Sequence, residues 1–449
     1  MTNSENWLTH LWTRAGAVLM LAITLAACPA KPPVETSFVI AVLPDTQNMI
    51  DYKHQSAAGF QMDASKLFMG QMNYIAANAK SAGGEIAFVT AVGDVWQHQS
   101  IAMDAEHAAR GFALVPNPYF ATEVEASPNT QAIELPTARA GYGLISGKVP
   151  FAVAPGNHDY DAMWADSKFP AVAPQELAAF SAQNPGADIS RHPELLGMLH
   201  IGGLNNFRSV FGADTPFFKD KPWYVASYRG GADSAQKFTA GGYTFLHFAL
   251  EMSPEDDVLA WVESVIAANP GLPTIISTHD FLSTAGERHP NPIIDLKAAD
   301  ARHNNAEDLW TKLISRHDQI FMVLCGHQHG QAMRVDTNEK GHQVYQILAD
   351  YQDRGQSAID AGVPLVRGRA VGIGDGWLRL MTFDTGAAVP TVKVRTYSPH
   401  YNGYSTALPT YAAWYKPFEK PQLSDADYLK ADDFVIELTD FKARFGPPK

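Results

Sequence analysis

Several short apolar runs in this chain end on residues able to hold a metal or a proton, and that repetition limits the fold more than any other feature. "SFVIAVLP" runs into Asp45 and Gln47, and "EIAFVTAVGD" ends on Asp94. "PTIISTHD" delivers His279, and "QIFMVLCGHQHG" delivers His327 and His329. Apolar runs of this length without polar alternation fit strands buried on both faces, as in parallel sheets covered by helices. Between the first two runs, Phe68, Met72, Ile75 and Ala79 recur at helical spacing, with Gly83-Gly84 as a stop. The order strand–helix–strand predicts a βαβ unit.

The same grammar returns later. "GGYTFLHFALE" reads as a strand, and "PEDDVLAWVESVIAANPG" as a helix with Leu259, Val262 and Ile266 on one face. "AEDLWTKLISRH" is a further helix; Trp261 and Trp310 read as core. "HQVYQILADYQ", "GWLRLMTFD" and "TVKVRTYSP" are expected as successive antiparallel strands. Two stretches, 97–148 and 160–241, lack clear periodicity and are too long for plain loops, so partly structured insertions are expected there. The tail 405–449 reads as an irregular extension.

At the other end, Arg14 precedes "AGAVLMLAITLAAC", which has the length of a secretory apolar core and is short for a membrane span. "LAAC", ending on Cys28, resembles the bacterial lipobox. That makes 1–27 a lipoprotein signal peptide, Cys28 the lipidated residue and 28–37 a proline-rich tether. The chain is then expected to be exported and held in the bacterial cell envelope by its N-terminal lipid alone. The plainer readings are an ordinary signal peptide or an apolar N-terminal helix. With Cys28 lipidated, Cys325 is the only other cysteine, so no intramolecular disulfide is expected. The balance of 34 Lys+Arg against 47 Asp+Glu gives a net charge of −13, which disfavours broad contact with a nucleic-acid backbone.

Ligands of open α/β sheets bind beyond the carboxyl ends of the strands. Five such ends, with "GNHD" (Gly156 to Asp159) as the fifth, would bring oxygen and imidazole donors to one crevice. The set suits two divalent ions such as Mn, Fe or Zn. The ordered motifs D-x-Q, G-D, G-N-H-D, T-H and G-H-x-H resemble those of the calcineurin-like metallophosphoesterases, from about Phe38 to Pro399. The resemblance implies an α/β (α+β) sandwich, two mixed β-sheets packed face to face and flanked by helices, in a domain spanning 38–404. It assigns Asp45, Gln47 and His329 to a first metal and Asn157, His279 and His327 to a second, with Asp94 bridging. His158 would assist phosphoryl transfer, and Asp159 would accept from its ring and orient it. A water between two such ions becomes hydroxide near neutral pH and can attack phosphorus.

Each residue also has a plain reading. Asp45 and Asp94 could cap helices, "GNHD" could be a turn, and His279 could be a satisfied core histidine. Gln47 is a harder and weaker donor than the histidine often found there, so the first site is expected to be retuned towards Mn, Mg or Ca. Gln97 stands where many members of that family carry an acid after G-D-x-x, which puts support of that loop in question. His98, His107, His192 and His200 read as surface or packing residues. His303 and Asn304 either face the site or start a helix, and Arg191 and Arg229 are unassigned cations. The function expected is hydrolysis of a small phosphoester, monoester or diester. The alternative is a non-catalytic, metal-stabilised envelope binding protein, and a hydrolase of a phosphonate or pyrophosphate bond is a third reading.

Overall fold

The computed structural model describes residues 35–449. Cys28, the signal segment and most of the tether lie outside the described residues. The described residues form one compact unit. No helix among the described residues is long and apolar enough to cross a membrane.

The architecture is mixed α/β, with two seven-stranded sheets and a separate two-stranded one. The first sheet runs Gly403–Tyr404, Thr391–Ser398, Leu378–Asp384, Ser37–Leu43, Ile86–Ala91, Phe151–Val153, with Asp433–Glu437 also paired to Thr391–Ser398. The second runs Gly330–Thr337, Gln343–Asp350, Ile320–Cys325, Thr274–Ser277, Tyr243–Ala249, Asp233–Ala240, Tyr224–Tyr228. Ser37–Leu43, Ile86–Ala91 and Phe151–Val153 are mutually parallel, as are the four central strands of the second sheet.

Strand Ser37–Leu43 explains how the layers stack. Its side chains alternate, so Phe38, Ile40 and Val42 enter the core between the sheets while Val39, Ala41 and Leu43 enter the core under the helices. In the inter-sheet core, Phe38 stacks on Phe383 at 4.9 Å and meets Phe245 of the other sheet at 5.5 Å. Phe88 stacks on Phe238 across the same gap at 4.4 Å. Helices Ser65–Ala77 and Leu135–Ile145 cover the outer face of the first sheet. The second is covered by Asp256–Ala268 and the helical segment from Ala306 to Ile314.

Three expectations are corrected. Gln343–Asp350 is not antiparallel to the strands that follow it; it lies parallel to Ile320–Cys325 in the second sheet, while Leu378–Asp384 and Thr391–Ser398 belong to the first. Gln343–Asp350 does form an antiparallel hairpin, but with the preceding strand Gly330–Thr337, which went unread because it mixes half-buried Arg334 and Asp336 with exposed Met333 and Val335 and so shows no apolar face. The second insertion ends earlier than residue 241, because Tyr224–Tyr228 and Asp233–Ala240 are sheet strands. The tail is not irregular either. It folds into helices Tyr411–Glu419 and Asp425–Lys430 and then supplies a strand, Asp433–Glu437.

Candidate metal centre

All five predicted strand ends converge, and the convergence is held by bonds between the sheets. Thr90 Oγ1 donates to Ser277 Oγ at 2.9 Å, and the His327 amide donates to Asp45 Oδ2 at 3.0 Å. The His279 ring Nδ1 meets the Val92 carbonyl at 2.8 Å. That carbonyl fixes the proton on Nδ1 and turns the Nε2 lone pair inward.

His279 Nε2 then faces Asn157 Oδ1 at 3.0 Å, Asp94 Oδ1 at 3.2 Å and Asp45 Oδ2 at 3.9 Å. A lone pair among three acceptor oxygens repels them unless a cation or a second proton joins it. Burial disfavours the charged ring, yet Asp94 and Asp45 outweigh burial and raise His279 to about 10. Burial also opposes ionisation of Asp94, but His279 and His158 hold its carboxyl well below the usual range. Burial, with Asp350 adding to it, pushes Asp45 well above that range.

Asp45 Oδ1, Gln47 Oε1 and His327 Nε2 are buried without a hydrogen-bond partner. Asp94, His279 and His327 present ligand atoms within 4.8 Å of one another and could hold a metal ion. Asp94 divides its carboxylate. Oδ2 accepts from Gln47 Nε2 at 3.2 Å, and Oδ1 lies on the His279 side and accepts from the His158 amide at 2.8 Å. Donor set and orphaned atoms fit divalent cations, because each orphaned atom has a lone pair to give. The short helix Gln47–Ile50 has no side-chain cap, so Asp45 is not spent as one.

The glycines explain why these motifs have their shape. Gly93, Gly156 and Gly326 each precede a candidate ligand. A Cβ at Gly93 would stand 2.3 Å from His279 Nδ1, one at Gly156 2.3 Å from Asp94 Oδ1, and one at Gly326 2.1 Å from Asp45 Oδ1. Asp94 and His327 themselves have φ of 50° and 70°, a left-handed conformation uncommon for residues with a side chain.

The side chains of His329, Asp159 and His158 make their own contacts around this cluster. His329 is exposed, with Nδ1 on Asp353 at 2.7 Å and Nε2 on the Gln352 amide at 2.6 Å. Gln352 also accepts from Gln47, so His329 reaches the Asp45 and Gln47 pair through it. Asp159 does not touch the His158 ring, a correction to the role expected of it. The tight turn Asn157–Asp159 folds its carboxylate back onto the Gly156 amide at 2.8 Å and the Val95 amide at 2.9 Å. His158 Nδ1 instead meets the Gln97 carbonyl at 2.6 Å, leaving Nε2 for the cleft. The loop that Gln97 was expected to weaken therefore positions His158 through its backbone.

Sequence reasoning missed Asp350, Gln352 and Asp353 at the end of strand Gln343–Asp350. The signal was present, since "YQILADYQ" follows the same pattern of apolar run and polar end. Of the two readings given for His98, surface or packing, the structure has the second: it is buried, with Nδ1 at 2.8 Å from Glu134 Oε1. Arg229 is committed to Glu251, Glu255 and Asp257. Asn304 donates to the Pro254 carbonyl, away from the centre. Above the centre opens a cleft of about 630 Å³ lined by Asn157, His158, His327, His329 and Arg191, with Met163, Leu199 and Ile293 as an apolar wall.

No family profile matches the chain. It is 25% identical over 205 residues to the uncharacterized protein YvnB of Bacillus subtilis (strain 168), a stretch covering 44% of this chain and 13% of that protein. Among solved structures it is similar to GAP50, the anchor in the inner membrane complex of Plasmodium, at 10% identity and a TM-score of 0.36, over 82% of this chain and 87% of that one.

Proposed function

We propose that this chain is a metal-dependent phosphoester hydrolase with the sandwich fold of the calcineurin-like metallophosphoesterases. The observation that carries the reading is the convergence of Asp45, Gln47, Asp94, Asn157, His279 and His327, with three orphaned lone pairs, beside a cleft that Asn157 and His327 line. Two divalent cations there, Mn, Fe or Zn, would neutralise phosphoryl oxygens and make water a competent nucleophile near neutral pH.

The chain's own residues do the rest. Asp94 would hold both cations, one through each carboxylate oxygen, and Gln47 would give an amide oxygen that tunes the first site towards Mn, Mg or Ca. With its Nδ1 proton held by the Gln97 carbonyl, His158 presents Nε2 to the cleft, where it can donate to a phosphoryl or leaving oxygen. Arg191 is a cation on the same cleft and suits an anionic ester. The insertions supply part of the cleft wall, and the chain's net charge of −13 disfavours long polyanions, which favours small phosphoesters. Cys28 would anchor the enzyme in the envelope through lipid.

The test is hydrolysis of p-nitrophenyl phosphate and bis(p-nitrophenyl) phosphate by the metal-stripped chain after addition of Mn²⁺, Fe²⁺ or Zn²⁺. The expected result is turnover that needs metal and is lost in Asp94→Asn. Bound metal without turnover of either ester would favour the non-catalytic binding protein instead.

A further inference from the structure

A second group of histidines lies away from this centre. His107 comes from helix Ala105–Ala109 in the first insertion, and His200 from strand Leu199–Gly202 in the second. His303 comes from the loop before helix Ala306–Leu309. The rings of His107 and His200 meet edge to face at 4.8 Å, and His200 lies 6.1 Å from His303. His107 is 7% exposed and His200 fully buried. The Nε2 atoms of all three are buried and have no hydrogen-bond partner.

The other nitrogens are engaged, which fixes the rings. His107 Nδ1 is 2.7 Å from Asp104 Oδ2, a carboxylate–imidazole pair of the kind that orients metal-binding histidines. His303 Nδ1 is 2.8 Å from the Ser253 carbonyl, and His200 Nδ1 is 2.8 Å from the Ile201 carbonyl. The first two contacts put the proton on Nδ1 of His107 and His303 and leave their Nε2 lone pairs free; His200 Nδ1 also lies 2.8 Å from the Ile201 amide, and its Nε2 would be free for a metal with the ring proton on Nδ1, facing the Ile201 carbonyl. Trp164 stacks flat on His200 at 4.8 Å, and Gly202 makes room for the pair beside it, since a Cβ there would stand 1.9 Å from Asp104 Oδ2. The Asp300 carboxylate, held by Arg110 and Arg302, lies within 4.8 Å of the His107 and His200 ligand atoms.

We propose that His107, His200 and His303, with Asp300 beside them, form a separate binding site for one nitrogen-preferring divalent metal ion such as Zn²⁺. Three imidazoles and a carboxylate suit zinc, and Nδ1 of His107 and of His303 is already tied as such a site needs. The ion would join the two insertions to the loop before Ala306. In a chain whose described residues have one cysteine, buried Cys325, no disulfide among those residues can do this. Leu199, next to His200, lines the cleft, so the site would also fix one wall of the pocket. The proposal is independent of the hydrolase reading.

The experiment measures zinc by elemental mass spectrometry in the full chain carrying Asp94→Asn and His327→Ala, which disables the first centre. One zinc per chain is expected to survive exhaustive buffer exchange and to vanish when His200→Ala or His303→Ala is added. His303→Ala, at the half-buried edge, keeps the test sound if His200→Ala misfolds, with far-UV circular dichroism as the check. Co²⁺ in place of zinc should give visible bands of a four-coordinate nitrogen and oxygen site, lost in His303→Ala. No zinc in the doubly substituted chain, or zinc unaffected by His303→Ala with native dichroism, would overturn the proposal.

Discussion

His158 and Asp159 are neighbours in sequence and opposites in use. The His158 ring is aimed by a backbone carbonyl, whereas Asp159 is fully buried and spends both oxygens on the amides of Gly156 and Val95. Replacing His158 with alanine should therefore leave metal content unchanged and lower kcat by about 10²- to 10⁴-fold, the usual contribution of a positioned acid or base. Steady-state kinetics beside metal analysis checks both halves. Gly326 makes a different demand. An added methyl would meet Asp45 Oδ1 at 2.1 Å, so Gly326→Ala should lose metal while the chain stays folded, read as metal per chain against an unchanged far-UV spectrum. Of the candidate residues, those at buried strand ends were legible because an apolar run leaves few places for a polar side chain. The backbone acceptor of Gln97 was not, since carbonyls carry no sequence signal. Nor was the meeting of His107 with His200, which lie far apart in sequence.

At the scale of elements, the strands and helices of the two sheets were readable because burial on both faces removes polar residues from them. The insertions were not, because strands such as Leu199–Gly202 are short and their register depends on contacts across the chain. One element junction carries a titratable device. Glu251, just past strand Tyr243–Ala249, is buried beside Arg229, Glu255, Asp257, Asp233 and Tyr160. Burial raises it to about 7 despite the opposing pull of Arg229. The folded chain therefore keeps a proton that the unfolded chain releases near the ordinary value of 4.5. Stability from this group is present below that value and is lost as pH rises towards about 7. Glu251→Gln removes the titration, so the parent should lose stability relative to this variant as pH climbs from about 5 to about 7.5. Urea unfolding at several pH values measures the difference; a parallel pair of curves would refute it.

The whole molecule is closed by the segment that sequence patterning left as an irregular tail. Between helix Asp425–Lys430 and strand Asp433–Glu437, the chain inserts Asp432 into the interior, where it is fully buried. There Asp432 Oδ1 accepts from Arg379 at 3.2 Å and from Thr396 at 2.8 Å, and Oδ2 accepts from Tyr411 at 2.7 Å and Gln331 at 3.1 Å. Arg354, which is 1% exposed, lies 3.8 Å from the same carboxylate. Arg379 is on the first sheet and Gln331 on the second, so one carboxylate neutralises buried charge and ties both sheets to the tail. Buried arginines leave water at a cost of several kcal/mol each, which a well-bonded carboxylate offsets. Asp432→Asn keeps the shape and most hydrogen-bonding capacity but removes the charge, leaving Arg379 without its carboxylate and Arg354 with Glu419 alone. The expected loss is about 3–5 kcal/mol of unfolding free energy. Removal of 405–449 should be worse, because it also uncovers the edge of Thr391–Ser398, and an insoluble chain is expected. Denaturant unfolding of Asp432→Asn gives the number directly. A loss under about 1 kcal/mol would mean that the two arginines are satisfied without Asp432, and that the tail covers the sandwich without holding it together.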